Sequence, residues 1–225
     1  MTVCLHPGSA LCYLPDPVQP FERSCFNQSQ TYNILMSSNA KDSHGSVCVL
    51  DWVNNGRPAN GENWSFFGYS SRNEIYLQNT NKSRKLLLRD SILLDGHVLD
   101  GEIASRMCDL AVFGTLILYG PLFTALGQFF MSEFESLPRI GGRKWDSGSE
   151  SGDEESSAEN MRRSARQRQE AADRLLWSAA HVRGCVIVKF GAREVESGRN
   201  WLKTMLDDEG SITKYFGERA LLCLR

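Results

Sequence analysis

From Ser46 to Tyr119 the sequence alternates strand-forming runs with short turns, and this alternation most constrains the fold. The β-favouring runs cover 46–53, 64–68, 72–78, 85–94 and 111–119. Asn54-Asn55-Gly56 and Asn60-Gly61 mark tight turns, because asparagine and glycine adopt positive φ at low cost. Strands that follow one another without crossover helices predict an antiparallel meander. We therefore expect a mainly β protein.

Two later segments have the apolar period of amphipathic helices. The first begins at Pro121, a favoured first helical position, and the second spans Glu194–Leu206. A stripe of large apolar side chains must be buried either against the chain's own sheet or against a partner. The predicted partner-binding residues are Leu122, Leu126, Phe129, Phe130 and Trp201.

Residues 141–170 differ in composition from the rest of the chain. They are rich in Gly, Ser and acidic residues and then in basic ones, with too little apolar surface to offset the entropy of ordering. We predict a disordered insertion at 141–170, within one domain formed by a β-rich core at 1–140 and a hairpin and helix at 171–225. A helix over 159–182 is the alternative to the first strand of that hairpin.

Composition excludes several classes of function. The 225 residues carry a formal net charge of −2, which gives no general attraction to nucleic acid or to an anionic membrane. Seven cysteines, widely spaced and without a CxxC pair, indicate reduced thiols in a cytoplasmic protein. The uncharged stretch 110–132 is long enough to span a bilayer, but interrupting Gly and Pro residues favour a buried strand followed by a helix.

No catalytic motif is present. The sequence has no GxSxG, GxxxxGK[ST] or HExxH, and its four histidines are scattered. We predict that the chain is not an enzyme.

The most informative stretch is 49–77, where a glycine-flanked turn carries Arg57 and Glu62. In one interpretation Arg57 pairs with Glu62 or Asp51 and holds the turn. In the other, these charges line an interior polar passage or a binding surface.

The same stretch resembles a known family. Its pattern, LDW…GRxxxGExWxF…SRxEI, is similar to that of the urease accessory protein UreD, called UreH in some bacteria. The residues that carry it are Leu50, Asp51, Trp52, Gly56, Arg57, Gly61, Glu62, Trp64, Phe66, Ser71, Arg72, Glu74 and Ile75. The segments LPDPVQPF at 14–21 and VFGTL at 112–116 extend the resemblance, which covers nearly all of the chain except about 141–170.

The resemblance implies a mainly β fold of stacked antiparallel sheets in a β-helical arrangement, with two flanking α-helices. UreD proteins normally carry a β region before the LPDP segment, and this chain begins almost at that segment. We therefore expect strands with open edges where the missing part would pair.

The resemblance also implies a function. UreD proteins bind UreF, which recruits the nickel-carrying GTPase UreG, and the assembly acts on the urease apoprotein. UreD itself catalyses no reaction, binds no cofactor tightly and is thought to contain a passage through which nickel moves transiently. Such a passage needs weak oxygen ligands, and its candidate residues here are Asp51, Glu62 and Asp95.

A second hypothesis belongs to a different class. A non-catalytic carbohydrate-binding module or a hydrolase domain with a β-sandwich fold would use exposed aromatic side chains to stack on sugars. Trp52, Trp64 and Tyr69 are the candidates for that role.

Overall fold

The structure, a computed structural model, describes residues 1–36, 44–79, 83–96, 102–137 and 154–225. The strands in these ranges are β1 Thr2–Leu5, β2 Ala10–Tyr13, β3 Cys25–Leu35, β4 Ser46–Asn54, β5 Gly68–Gln78, β6 Arg84–Asp95, β7 Val112–Tyr119, β8 Leu176–Val182 and β9 Cys185–Ala192. The α-helices are α1 Ile103–Arg106, α2 Thr124–Glu135, α3 Glu154–Ala172, α4 Val195–Glu209 and α5 Ser211–Phe216. Shorter 3-10 segments cover Pro58–Asn60, Pro121–Phe123 and Glu218–Leu224.

The strands form two sheets. The first sheet has the order β1-β3-β5-β6 and the second sheet the order β2-β4-β7-β9-β8. With helices making up a comparable share of the described chain, the protein is mixed α/β, which corrects the expectation of a mainly β fold.

Both sheets are mixed rather than antiparallel. The pairs β1–β3, β3–β5 and β2–β4 are parallel, whereas β5–β6, β4–β7, β7–β9 and β8–β9 are antiparallel. From β1 to β5 the chain alternates between the sheets, so it returns to each sheet in the same direction. Parallel strands need such a crossover, and here a strand of the other sheet supplies it. Only this winding corresponds to the β-helical arrangement that was expected.

One local prediction needs correction. Of the predicted strand 64–68, residues 64–67 are bent instead of extended, with Trp64 at a φ of 54°, and β5 begins only at Gly68. The segment 10–20 begins with the edge strand β2, and Val18 bridges to Val53 further along it.

The sheets stack face to face, and β4 explains why. Every residue of β4 is buried, because its odd-numbered side chains face the first sheet and its even-numbered ones face the helices. A strand covered on both faces needs a nearly continuous apolar run, and SVCVLDWV supplies one with Asp51 as its only charge.

The helices cover the outer face of the second sheet. The two predicted helices are confirmed as α2, which follows a 3-10 turn at Pro121–Phe123, and α4. The uncharged run 110–132 divides into β7 and α2, and no helix in the described ranges is long and apolar enough to cross a bilayer. The hairpin is confirmed as β8–β9, with Arg183 and Gly184 at positive φ in its turn.

Helix α3 differs from the predicted insertion. Residues 138–153 lie outside the described residues, but 154–170 are helical where disorder was expected. The segment has little apolar surface to bury, but α3 contacts α2 and α4 through charged side chains such as Arg163 and Arg166.

Candidate functional site

Polar side chains from both sheets meet in the space between the sheets, and we call this group the inter-sheet polar layer. Its members are Gln28, Gln30, Ser71, Asn73 and Asp90 from the first sheet, and Asp51, Thr115 and Lys189 from the second. Strand register aligns them, because Asp51, Thr115 and Lys189 are direct neighbours across β4, β7 and β9. In the first sheet, Asn73 lies directly opposite Asp90.

Asp51 is the most extensively hydrogen-bonded side chain of the layer. It is 2% exposed, and four neutral groups of the first sheet donate hydrogen bonds to its carboxylate. The donors are Gln28 Nε2 at 2.9 Å, the Tyr69 hydroxyl at 3.2 Å, the Ser71 hydroxyl and Asn73 Nδ2. A buried carboxylate needs such donors, since an unpaired one is costly in a medium of low dielectric constant.

Lys189 and Asp90 form the charged end of the layer. Lys189 Nζ donates to Asp90 Oδ1 at 2.7 Å and to Thr115 Oγ1 at 3.2 Å. The Lys189 side chain is 39% exposed, so the layer reaches solvent at this end.

Two buried oxygens of the layer lack a hydrogen-bond partner among the described residues. They are Asn73 Oδ1 and Asp90 Oδ2, which belong to residues paired across β5 and β6. Buried polar atoms are usually hydrogen-bonded to protein or water, so each unpaired oxygen indicates a position for a water molecule or a cation.

Two tyrosines in the layer's surroundings stay protonated at neutral pH. Burial raises the pKa of Tyr32 and of Tyr69, and the negative charge of Asp51 raises it further in both. Both phenols therefore act as hydrogen-bond donors rather than as anionic ligands.

Apolar clusters confine the layer on both sides. One cluster contains Tyr32, Ile34, Val49, Ile75 and Ile117, and the other Val53, Trp64, Phe66, Ile92 and Ile103. Because hydrocarbon flanks it on each side, the polar layer is a strip that crosses the inter-sheet space from β3 to β9.

Comparison with known families identifies the chain. The model of the UreD urease accessory protein matches residues 1–214. The chain belongs to the UreD family.

Curated relatives agree with this assignment. An uncharacterized UreD-like urease accessory protein of Schizosaccharomyces pombe is 29% identical over 94% of the chain and 65% of its own length. Urease accessory protein 4 of Cryptococcus neoformans is 28% identical over 97% of the chain and 60% of its length. Urease accessory protein D of Arabidopsis thaliana is 34% identical over 49% of the chain and 33% of its own length. The chain thus spans less than two thirds of the length of each of these relatives.

The family-motif turn is held by an ion pair. Arg57 Nε lies 3.0 Å from Glu62 Oε2, and the Glu22 backbone N–H donates to the same oxygen at 3.1 Å. Hydrogen bonding to Arg57 lowers the pKa of Glu62 and raises that of Arg57. Of the two partners considered for Arg57, the structure selects Glu62, which favours the turn-holding interpretation. Gly56 and Gly61 supply the positive φ that this turn requires.

The three predicted metal ligands lie in different places. Asp51 lies in the polar layer, Glu62 lies in the loop after β4, and Asp95 is the last residue of β6. No group of three or more Cys, His, Asp or Glu side chains in the described part of the chain could hold a metal ion, so these three do not form one. Metal contact by any of them stays a prediction.

The remaining motif residues are structural or face outward. Trp52, Trp64 and Tyr69 are each at most 4% exposed, so they cannot form the sugar-stacking surface that the second hypothesis requires. Arg72 is exposed, and Glu74 pairs with Arg89 at 2.7 Å on the outer face of the first sheet.

The predicted partner-binding residues divide into two groups. Leu126, Phe130 and Trp201 are at most 5% exposed and pack in the chain's own core against the second sheet. Leu122 and Phe129 are only partly buried, and partner contact by these two stays a prediction.

Sequence reasoning missed Asn73, Asp90 and Lys189 as members of one layer. Asp90 alone carried a usable signal, because it is the one charged residue on the otherwise apolar face of the run 86–94. Lys189 could not be found this way, since its contact with Asp90 joins positions 99 residues apart.

Proposed function

We propose that this chain works in urease maturation as a non-catalytic scaffold that binds UreF, UreG and the urease apoprotein and lets nickel pass transiently to urease. The observation that carries this proposal is the family match over residues 1–214, which the names of the curated relatives support. The proposed setting is the cytoplasm, and the proposal includes neither nucleic acid nor a membrane.

The inter-sheet polar layer is the proposed route for nickel. It offers the carboxylates of Asp51 and Asp90 and the amide oxygen of Asn73 inside an apolar surround. Oxygen ligands suit a passing divalent cation, because a closed cage of Cys and His ligands would bind nickel too tightly to release it.

The unpaired oxygens support this route. Asn73 Oδ1 and Asp90 Oδ2 are buried acceptors without a partner in the described residues, and both are free to coordinate a cation. The route has no need of the buried tyrosines as ligands, since they stay protonated.

Lys189 has a proposed role in release. Its ammonium lies 2.7 Å from Asp90 and offsets one of the two carboxylates of the layer. At a separation of about 4 Å the repulsion between an ammonium and a divalent cation would amount to several kcal/mol at an effective dielectric constant of about 20. The layer would therefore hold nickel weakly and let it leave.

Deletion and co-purification test the scaffold role. Cells that express urease and the other accessory proteins but lack this protein should contain inactive urease, and re-expression should restore its activity. A tagged copy should co-purify with UreF and with the urease apoprotein. Normal urease activity in the deletion cells, or turnover of a substrate by the purified chain alone, contradicts the proposal.

A further inference from the structure

Two cysteines lie side by side on neighbouring strands. Cys12 on β2 and Cys48 on β4 are register partners in the parallel pair, so their side chains project to the same face of the second sheet. Cys48 lies in the core on the helix-facing side, and Cys12 is partly buried against the same core.

The spacing of these strands fits a covalent bond between the two sulfurs. Neighbouring strands are about 4.8 Å apart, and a disulfide needs a Cα–Cα distance of about 4.4–6.8 Å. Closing a bond between Cys12 and Cys48 would therefore require rotation of two side chains and little movement of the backbone.

The two thiols differ in a way that assigns their roles. Cys12 is partly exposed, and the hydrogen bond from Cys48 lowers its pKa, which favours the nucleophilic thiolate. Cys48 is fully buried, and both the hydrogen bond to Cys12 and desolvation raise its pKa. An external reagent can therefore reach the Cys12 thiol, and the neighbouring Cys48 thiol can then attack the adduct that forms on Cys12.

We propose that Cys12 and Cys48 form a reversible dithiol–disulfide site that reacts with low-molecular-weight disulfides such as oxidised glutathione. The Cys12 thiolate attacks one sulfur of oxidised glutathione, the glutathione S–S bond breaks, and one glutathione thiolate leaves. Cys48 then loses its proton and attacks the Cys12 sulfur, which releases the second glutathione. Two protein thiols are oxidised to one disulfide, and one glutathione disulfide is reduced to two thiols.

The bond would change the edge of the second sheet. Strand β2 has four residues and, among the described strands, pairs with β4 alone, so it is an edge strand with few hydrogen bonds to hold it. A disulfide would fix β2 on β4 and prevent it from separating. This proposal does not depend on nickel passage or on urease.

The other cysteines provide internal controls. Cys4 and Cys25 are exposed and are not paired in register with another cysteine of the described strands. Cys185 is buried and its register partners are Tyr119 and Val182, so no neighbouring cysteine thiol can deliver an oxidant to it or close a disulfide with it across these strand pairs.

The test is peptide mapping after oxidation. The purified protein is incubated with oxidised glutathione, its remaining thiols are alkylated, and it is digested with trypsin for mass spectrometry. We expect a dithiothreitol-sensitive cross-link between the peptides that contain Cys12 and Cys48. The same link should form in Cys4→Ser, which removes the other cysteine of the first tryptic peptide.

Two substitutions make the outcome decisive. In Cys12→Ser the cross-link should be lost, and in Cys48→Ala the attack should stop at a stable glutathione adduct on Cys12. An adduct on Cys12 that persists in the unsubstituted protein, or a cross-link lost in Cys4→Ser, would overturn the proposal. So would recovery of Cys12 and Cys48 as fully alkylated thiols after oxidation.

Discussion

Because Gly114 has no side chain, two aromatic rings of the core can pack against each other across β7. It lies on β7 between Trp52 of β4 and Phe190 of β9, whose rings pack across it with centroids 6.0 Å apart. A Cβ at this position would lie 2.6 Å from Trp52 Cβ and 2.7 Å from Phe190 Cζ. The glycine of the VFGTL segment is thus required by space, since its φ is not in the left-handed region.

We therefore expect Gly114→Ala to destabilise the fold by about 1–3 kcal/mol, the usual cost of overpacking a core. Chemical denaturation of the purified protein measures the change in the free energy of unfolding. Gly68→Ala is the matched control, because a Cβ there meets only Leu94 O at 3.8 Å. Equal stability changes for the two variants would refute the steric explanation.

Glu62 predicts a pH dependence. Its folded pKa is lowered by Arg57, so the ion pair stabilises the protein above the unfolded pKa of about 4.5 and loses its effect as the pH falls through the folded value. Glu62→Gln should therefore be less stable than the unsubstituted protein at pH 7, and the difference should shrink as the pH falls below about 4.5.

Thermal unfolding from pH 7 to pH 3 measures this difference. Glu218→Gln provides the comparison, because its side chain is 81% exposed and pairs with Arg225 at 3.8 Å, away from the Arg57–Glu62 turn. A gap between Glu62→Gln and the unsubstituted protein that stays constant over the whole range would show that the carboxylate charge is not responsible.

At the scale of elements, α3 is held by charge. Its inward residues Arg163, Arg166 and Glu170 follow helical spacing and meet Glu133 of α2, Asp208 of α4 and the indole N–H of Trp201. Glu133 and Arg166 are 4% and 8% exposed, so their ion pair is buried. Removing one partner of a buried pair leaves the other charge without compensation and is strongly destabilising.

Arg166→Gln should thus loosen α3 on the protein. We expect amide hydrogen exchange across 160–172 to become at least about tenfold faster, which corresponds to about 1.4 kcal/mol. Arg168→Gln is a suitable control on the same helix, because Arg168 is exposed and donates to Ser164 O of its own helix. Equal exchange in both variants would contradict a charge-held helix.

At the scale of the whole molecule, the two sheets enclose the polar layer because the chain winds between them. The sequence was enough to predict β4, β6, β7, the β8–β9 hairpin and helices α2 and α4, because each has a local period or a local turn signal. The direction of strand pairing was not predictable in this way. Parallel pairs such as β3–β5 arise from which sheet each strand joins, and that choice depends on contacts between distant residues.

The candidate site was also only partly predictable from the sequence, because its contacts join residues that are distant in the chain. Asp51 was a candidate because it belongs to the family motif, and the structure surrounds it with four donors from β3 and β5. Its surroundings had no local signal, because Ser71 and Asn73 are ordinary polar residues until the strands align them. Glu62 was easy to notice in the turn, yet its nearest partner is Arg57, five residues away.

We propose that nickel passes through the inter-sheet polar layer on its way to urease. The most direct measurement is the nickel content and activity of urease purified from cells in which the only copy of this protein carries Asp90→Asn. This change removes one charge of the layer while keeping the side-chain shape. Glu74→Gln is the matched control, because it removes a carboxylate from the opposite face of the same two strands.

At equal protein levels and equal co-purification with UreF, we expect Asp90→Asn to lower both the nickel content and the activity of urease severalfold. Glu74→Gln should leave both unchanged. Full nickel loading of urease in Asp90→Asn cells would contradict the account.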